Sequence, residues 1–88
     1  MESTPFIISC LKNLTGEIPG VCIRYKYHSD ALIHAVEISD PHSFHYEMIE
    51  QAETDLLFEF IERFPDENLG FVREGSELGF SEADWSNA

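Results

Sequence analysis

Basic residues are scarce in this chain, which has five lysines and arginines against seventeen aspartates and glutamates and a net charge of -12. Binding to nucleic acid depends on neutralising phosphates with Lys and Arg, so the composition argues against a nucleic-acid partner. Anionic membrane surfaces are disfavoured for the same electrostatic reason. The excess is uneven, because residues 1–36 hold three acids and three bases whereas residues 37–88 hold fourteen acids and two bases. This asymmetry fits two interpretations, either a solvated acidic exterior that keeps a small protein soluble or an interaction surface in the second half of the chain.

Long apolar runs and export signals are also lacking. No stretch approaches the roughly 18 apolar residues that span a bilayer. The first residues, MESTPFIISCLKN, contain neither the basic stretch nor the long apolar stretch of a secretory signal. Two cysteines, Cys10 and Cys22, are too few for the disulfide framework of a small secreted domain. We therefore expect a cytoplasmic protein in which both cysteines are reduced and buried.

The chain is nevertheless able to form a core. Its 88 residues suit one domain, and 43% of them are hydrophobic and 12% aromatic. There is no room for separate catalytic and cofactor domains. We expect a single small acidic domain over residues 1–88, with the polar segment 81–88 as a flexible tail.

The first predicted element is a helix over residues 5–15. Ser3 or Thr4 followed by Pro5 is typical of an N-cap with proline at the first helical position. Apolar residues then recur at helical spacing until Gly16 interrupts the pattern.

Two strands follow. Residues 21–28 alternate between apolar and polar side chains, which predicts the clearest strand in the chain. After a turn at Ser29-Asp30, residues 32–38 alternate again. This second strand places four side chains on one face: Leu32, His34, Val36 and Ile38.

Residues 39–64 allow two interpretations, either a strand over 44–49 with a helix over 53–64, or one long helix. We favour the strand, because a single helix would place Glu53 within the apolar arc and Phe58 on the acidic face. In the shorter helix Thr54 is the cap, and five apolar side chains are buried: Leu56, Leu57, Phe60, Ile61 and Phe64. The state of residues 44–52 remains open between strand and helix.

Residues 68–72 and 78–80 fit a last short hairpin. The chain therefore predicts an α+β fold in the order α-β-β-β-α-β(β), with two helices packed on one face of a small antiparallel sheet of three to five strands.

Histidines and carboxylates cluster in the middle of the sequence. His42 and His45 are three residues apart and precede Glu47, and these are ligand types that suit zinc. Such spacing is common by chance, and we expect His34 to be a hydrogen-bonded, half-buried residue rather than a ligand. We predict no catalytic, cofactor or metal site. The alternative is a small metal- or Cys-dependent enzyme centred on Cys22, His42, His45 and Glu47.

The acidic half also contains interleaved aromatic residues. Aromatic anchors within an acidic surround suit a basic protein partner, since the anchors supply affinity and the charges supply rate and selectivity. We therefore favour a non-enzymatic interaction module of the inhibitor, immunity-type or adaptor kind. A homodimer formed by self-association is the other possibility. The predicted partner-binding residues are Asp55, Phe58, Glu59, Glu62 and Trp85.

Overall fold

Two helices and four strands make up the fold in a computed structural model of the chain, which describes residues 2–40, 46–72 and 82–87. In chain order they are α1 (Ser3–Glu17), β1 (Cys22–His28), β2 (Ile33–Ser39), α2 (Tyr46–Arg63), β3 (Asn68–Val72) and β4 (Trp85–Ser86). The strands form a single sheet in the order β3-β2-β1-β4. The predicted α+β class is confirmed, with two helices and a four-stranded sheet.

The sheet is mixed, whereas an antiparallel sheet was predicted. β1 pairs antiparallel with β2 and with β4, but β2 and β3 are parallel. The reason is the position of α2, which lies between β2 and β3 in the chain and serves as the crossover that parallel neighbours need. The predicted strand over 68–72 is thus confirmed as β3, and the predicted strand over 78–80 lies outside the described residues.

Both helices cover the same face of the sheet. Tyr25 of β1 and His34 of β2 lie on this face, since Tyr25 is opposite Val36 and Tyr27 is opposite His34. From α1, the Thr4 hydroxyl approaches the Tyr25 hydroxyl at 3.2 Å. The Phe60 ring of α2 meets the His34 ring edge-on. The core between the layers is formed by Ile7, Leu11, Leu14, Ile18, Val21, Ile23, Tyr25, Val36, Ile38, Ile49, Leu56 and Phe60.

The helix α1 begins earlier than predicted and without a side-chain cap. Its N-cap is Glu2, which makes no capping hydrogen bond, and Ser3 is already helical and fully buried. The prediction that Ser3 or Thr4 caps the helix is wrong, because both hydroxyls face polar groups elsewhere in the fold. Pro5 lies in the first turn, where its missing N–H removes no helical hydrogen bond.

The long helix α2 replaces the favoured strand-and-helix interpretation. Residues 46–49 are helical, so the strand predicted over 44–49 is wrong in the part that the structure describes, and Thr54 lies inside the helix rather than at its start. Glu53 does lie on the buried stripe, with 9% of its surface exposed, and Phe58 does face outward. On this stripe Glu53 lines a groove between α2 and β3.

The position of the buried stripe on α2 also explains the exposure of Ile61. This residue was predicted to be buried but is half exposed. Once the helix begins at Tyr46, the stripe runs through Ile49, Leu56 and Phe60, and Ile61 falls beside it.

The outer edge of β1 is covered by the last described segment, residues 82–87. The Asp84 N–H donates to the Tyr25 carbonyl at 2.8 Å, and the Asp84 carboxylate accepts from the Tyr27 N–H at 2.9 Å. The Asn87 side chain accepts from the Ile23 N–H and donates to the Val21 carbonyl, both at 2.9 Å. Part of the segment predicted as a flexible tail therefore forms the edge strand β4.

Both cysteines are free, as predicted, but only Cys10 is partly buried, and Cys22 is exposed at the start of β1. Within the described ranges, neither helix has the length and apolar content needed to cross a bilayer.

The helical assignment of residues 46–52 predicts that substitutions at two adjacent positions have very different effects on stability. Ile49→Ala should lower the free energy of unfolding by about 2–5 kcal/mol, because a buried isoleucine is replaced by a cavity. Met48→Ala should change it by less than about 0.5 kcal/mol, since Met48 faces solvent. Urea denaturation of both variants measures this, and a larger loss at Met48 than at Ile49 would restore the strand interpretation.

Candidate functional site

The buried imidazole of His34 is the centre of the most extensive polar cluster in the described residues. Alternation along β2 turns His34 toward the helices, where its surface is fully covered. Its Nδ1 atom is 2.7 Å from the Tyr25 hydroxyl, and its Nε2 atom is 2.9 Å from Oε1 of Glu67. The sequence-based expectation of a hydrogen-bonded histidine is therefore confirmed, with deeper burial than expected.

Two hydroxyls from α1 extend this cluster. The Ser3 hydroxyl donates to Oε1 of Glu67 at 2.6 Å and lies 3.3 Å from Nε2 of His34. The Thr4 hydroxyl lies 3.2 Å from that of Tyr25. We call Ser3, Thr4, Tyr25, His34 and Glu67 the His34 network. It joins α1, β1, β2 and the loop after α2.

Aromatic rings enclose the imidazole. Tyr27 lies 4.8 Å from it, Phe60 lies 5.6 Å away edge-on, and Tyr25 stacks at 5.9 Å, all measured between ring centroids. This apolar surround strengthens the hydrogen bonds of the network and makes any unpaired polar atom there costly.

The His34 network resembles a hydrolase triad in composition but not in geometry. A triad needs the nucleophile on one imidazole nitrogen and the orienting carboxylate on the other. Here Ser3 and Glu67 both lie at Nε2, and the Ser3 hydroxyl donates to the carboxylate instead of the imidazole. Ser3 is also fully buried. The network therefore lacks the order of nucleophile, imidazole and carboxylate that defines a triad.

The surroundings of two network residues shift their acidity in opposite directions. Hydrogen bonds from Ser3 and then His34 lower the pKa of Glu67 below its ordinary value of 4.5. Burial raises the pKa of the Tyr25 phenol, and the hydrogen bond with Thr4 opposes this only in part. Both groups therefore keep their usual charge states at neutral pH.

The predicted partner-binding residues fall in two places. Asp55, Phe58, Glu59 and Glu62 are all exposed on α2, and Phe58 has 68% of its surface accessible. Asp55 and Glu62 are one turn before and after Phe58 on the outward side of the helix, because residues three and four apart are neighbours. Glu59 lies on the flank, 3.3 Å from Arg63.

Trp85 is not part of the α2 surface. It lies on β4, at the edge of the sheet opposite β3, whereas α2 packs against β3. Its ring is half-buried against the core. The structure thus brings together four of the five predicted residues and separates the fifth.

No protein-family model, curated protein or solved structure matches this chain. The function must therefore be inferred from the geometry of these residues.

The alternative metal- or Cys-dependent site gains no support in the part of the chain that the structure describes. Cys22 and Glu47 are exposed at the starts of β1 and α2, and His42 and His45 lie outside the described residues. In residues 2–40, 46–72 and 82–87, no three histidine, cysteine, aspartate or glutamate side chains lie together in a way that could hold one metal ion. Arg24, two residues from Cys22 in β1, makes a bidentate ion pair with Glu37 at 2.8 and 3.1 Å.

Sequence reasoning missed most of the His34 network. The sequence predicts Ser3 as a helix cap, places Tyr25 within the alternating strand 21–28 and places Glu67 within the acidic second half. Their partners lie between 9 and 64 positions away in the chain. The only indication in the sequence was that His34 falls on the apolar face of its strand.

The hydroxyl of Tyr25 should matter more for stability than that of its neighbour Tyr27. Tyr25→Phe leaves Nδ1 of His34 without its buried partner and should cost about 1–3 kcal/mol. Tyr27→Phe is the matched control, because no hydrogen bond of the Tyr27 hydroxyl is found among the described residues, and it should cost less than about 0.5 kcal/mol. Equal losses in urea denaturation would contradict the assigned role of Tyr25.

The lowered pKa of Glu67 predicts a loss of stability in acid. A carboxylate with a depressed folded-state pKa contributes stability that is present above the ordinary value of 4.5 and is lost as the pH falls through the folded value. The wild type should therefore have a higher free energy of unfolding than Glu67→Gln at neutral pH, and this difference should shrink below pH 4.5.

Urea denaturation across this pH range measures the difference. The control is Glu62→Gln, which removes an exposed carboxylate of α2 outside the His34 network. If the stability difference between the wild type and Glu67→Gln does not change with pH, or changes no more than that of the control, the ionised Glu67 carboxylate adds no stability.

Proposed function

We propose that this protein is a non-enzymatic interaction module that binds a basic protein surface through the outward side of α2. The observation that carries the proposal is the exposure of Phe58 within an acidic surround. We define the α2 outer face by the residues around it: Asp55, Phe58, Ile61 and Glu62.

The apolar part of the α2 outer face is a pair of side chains one turn apart. Phe58 and Ile61 are 68% and 51% exposed. Scattered exposed apolar residues are ordinary, but a large aromatic ring next to an isoleucine forms a patch that a partner can desolvate. Full burial of a phenylalanine side chain supplies about 1.5–3 kcal/mol. These two residues are therefore suited to be the anchors of an interface.

The charges around the anchors have one sign. Asp55 and Glu62 flank Phe58, and Glu47 and Glu50 continue the acidity toward the start of the helix. The cation of α2, Arg63, is used internally, since it pairs with Glu59 and its guanidinium lies 4.9 Å from the Phe6 ring. An acidic surround of this kind accelerates encounter with a positively charged partner and selects against acidic ones.

The helix that presents this face is firmly held. Ile49, Leu56 and Phe60 bury the opposite stripe of α2 in the core. The outward residues are thus preorganised, and a partner need not bear the entropy of folding them. Inhibitors, immunity-type proteins and adaptors use rigid surfaces of this kind. We place the protein in the cytoplasm, where two free cysteines are ordinary.

Phe58→Ser tests the proposal directly. Proteins retained on the immobilised chain at low salt are identified and purified, and their affinities for the wild type and the variant are then compared. We expect a positively charged partner whose affinity falls at least about tenfold in the variant, because a central aromatic anchor is lost. We also expect the affinity to fall when salt is raised from about 50 to about 300 mM, since screening weakens charge steering.

Met48→Ser is the matched control, because Met48 is an exposed apolar residue of α2 away from Phe58. It should leave the affinity nearly unchanged. Binding that is independent of both salt and Phe58 would contradict the proposal. Concentration-dependent dimerisation that Phe58→Ser abolishes would instead identify a second copy of the chain as the occupant of this face.

A further inference from the structure

A second surface feature lies directly after α2, beside the His34 network. A cavity of about 210 Å³ opens between the end of β1, the turn before β2 and the loop that follows α2. Asn68 holds this turn by donating a hydrogen bond from Nδ2 to the Leu32 carbonyl at 3.4 Å. The cavity is lined by Tyr27, Leu32, His34, Asp66, Glu67 and Asn68.

The walls of the cavity are of two kinds. Tyr27 and Leu32 supply an aromatic ring and an aliphatic side chain, and the floor is the covered imidazole of His34. Asp66 and Glu67 supply carboxylates. Such a lining suits a ligand with a flat or slender apolar body and a positively charged end, and it repels anions.

The His34 network fixes the position of the Glu67 carboxylate beside the cavity. Its Oε1 atom accepts from Ser3 and lies within hydrogen-bond distance of His34, so the carboxylate is held in one orientation. Its other oxygen, Oε2, has no hydrogen-bond partner among the described residues, and 34% of the side chain remains exposed. Asp66 is likewise exposed and unpaired within the described ranges. Two carboxylate groups therefore line a cavity that also contains the Tyr27 ring and the Leu32 side chain.

We propose that this cavity is a socket for one arginine side chain of the basic partner, with the guanidinium between Asp66 and Glu67 and against the Tyr27 ring. The inference rests on the proposed function, because it identifies which group of that partner enters the fold. In the chain, Asp66 of the socket follows the end of α2 by three residues.

Arginine fits this lining better than lysine. Its planar guanidinium can donate to two carboxylates at once and stack on an aromatic ring, whereas an ammonium group is a compact, strongly hydrated point charge. A neutral side chain of the same shape would form no ion pair with either carboxylate. The socket should therefore bind a cationic side chain more tightly than a neutral one, and a planar guanidinium more tightly than an ammonium group.

The test uses a small probe in place of the unidentified partner. N-acetyl-arginine-N-methylamide is titrated into the isotopically labelled full chain, and backbone amide shifts are followed by NMR. We expect saturable shifts at Tyr27, Leu32 and residues 66–68, with a dissociation constant of about 1–10 mM for this single contact. The lysine analogue should bind several-fold more weakly, and the neutral citrulline analogue should give no saturable shifts.

Asp66→Asn should lower the affinity for the arginine probe at least about fivefold, because one charge-assisted contact is lost. Asp66 takes no part in the His34 network, so this variant should keep the wild-type thermal midpoint. Glu17→Gln is the matched control, since it removes an exposed carboxylate at the far end of α1. Shifts that never saturate, or that respond equally to both variants, would overturn the socket.

The two proposals fail in different ways. If the arginine probe binds as expected but no basic partner depends on Phe58, the proposed function is wrong and the cavity still binds arginine. If a basic partner depends on Phe58 but is indifferent to Asp66→Asn, and the probe does not bind, the α2 outer face stands and the socket is wrong.

Discussion

A histidine placed inside the core constrains the rest of this fold. A buried imidazole needs polar partners for both ring nitrogens, because an unpaired polar atom in an apolar surround is costly. His34 meets that requirement with Tyr25 on one side and Glu67 on the other. Ser3 then reaches the same carboxylate from α1. One side chain therefore determines where a helix, two strands and a loop must meet, and an apolar residue at this position would impose no such alignment.

The helix α2 connects the buried His34 network to the α2 outer face. Phe60 packs edge-on against the imidazole, which sets the rotation of α2 about its axis. Phe58, two residues earlier, is about 200° away around the helix and must face outward. The loop that follows the same helix carries Asp66 and Glu67 to the cavity beside His34. The features to which we assign binding thus derive their positions from the packing of α2 on the sheet.

The sequence was informative where local periodicity matched the packing and misleading where one residue broke it. The alternation of β1 and β2 predicted both strands, and helical geometry alone predicted that Phe58 is exposed. The first half of α2 was misassigned because Glu53 interrupts an apolar stripe. In the folded protein Glu53 lines a groove between α2 and β3, which no periodicity count reveals. The cluster around His34 could not be predicted, because Ser3 and Glu67 meet it only after the sheet and helices have assembled.

Exposed strand edges are templates for unwanted pairing between molecules, and β1, the most regular strand of the chain, would be such a template if it were open. Its outward N–H and C=O groups are instead satisfied by a strand of only two residues together with the side chains of Asp84 and Asn87. Carboxylate and carboxamide groups here imitate the backbone of a longer partner strand. The backbone groups along the outer edge of β1 are therefore already paired and cannot template a further strand, and the net charge of -12 opposes close approach of a second molecule as well.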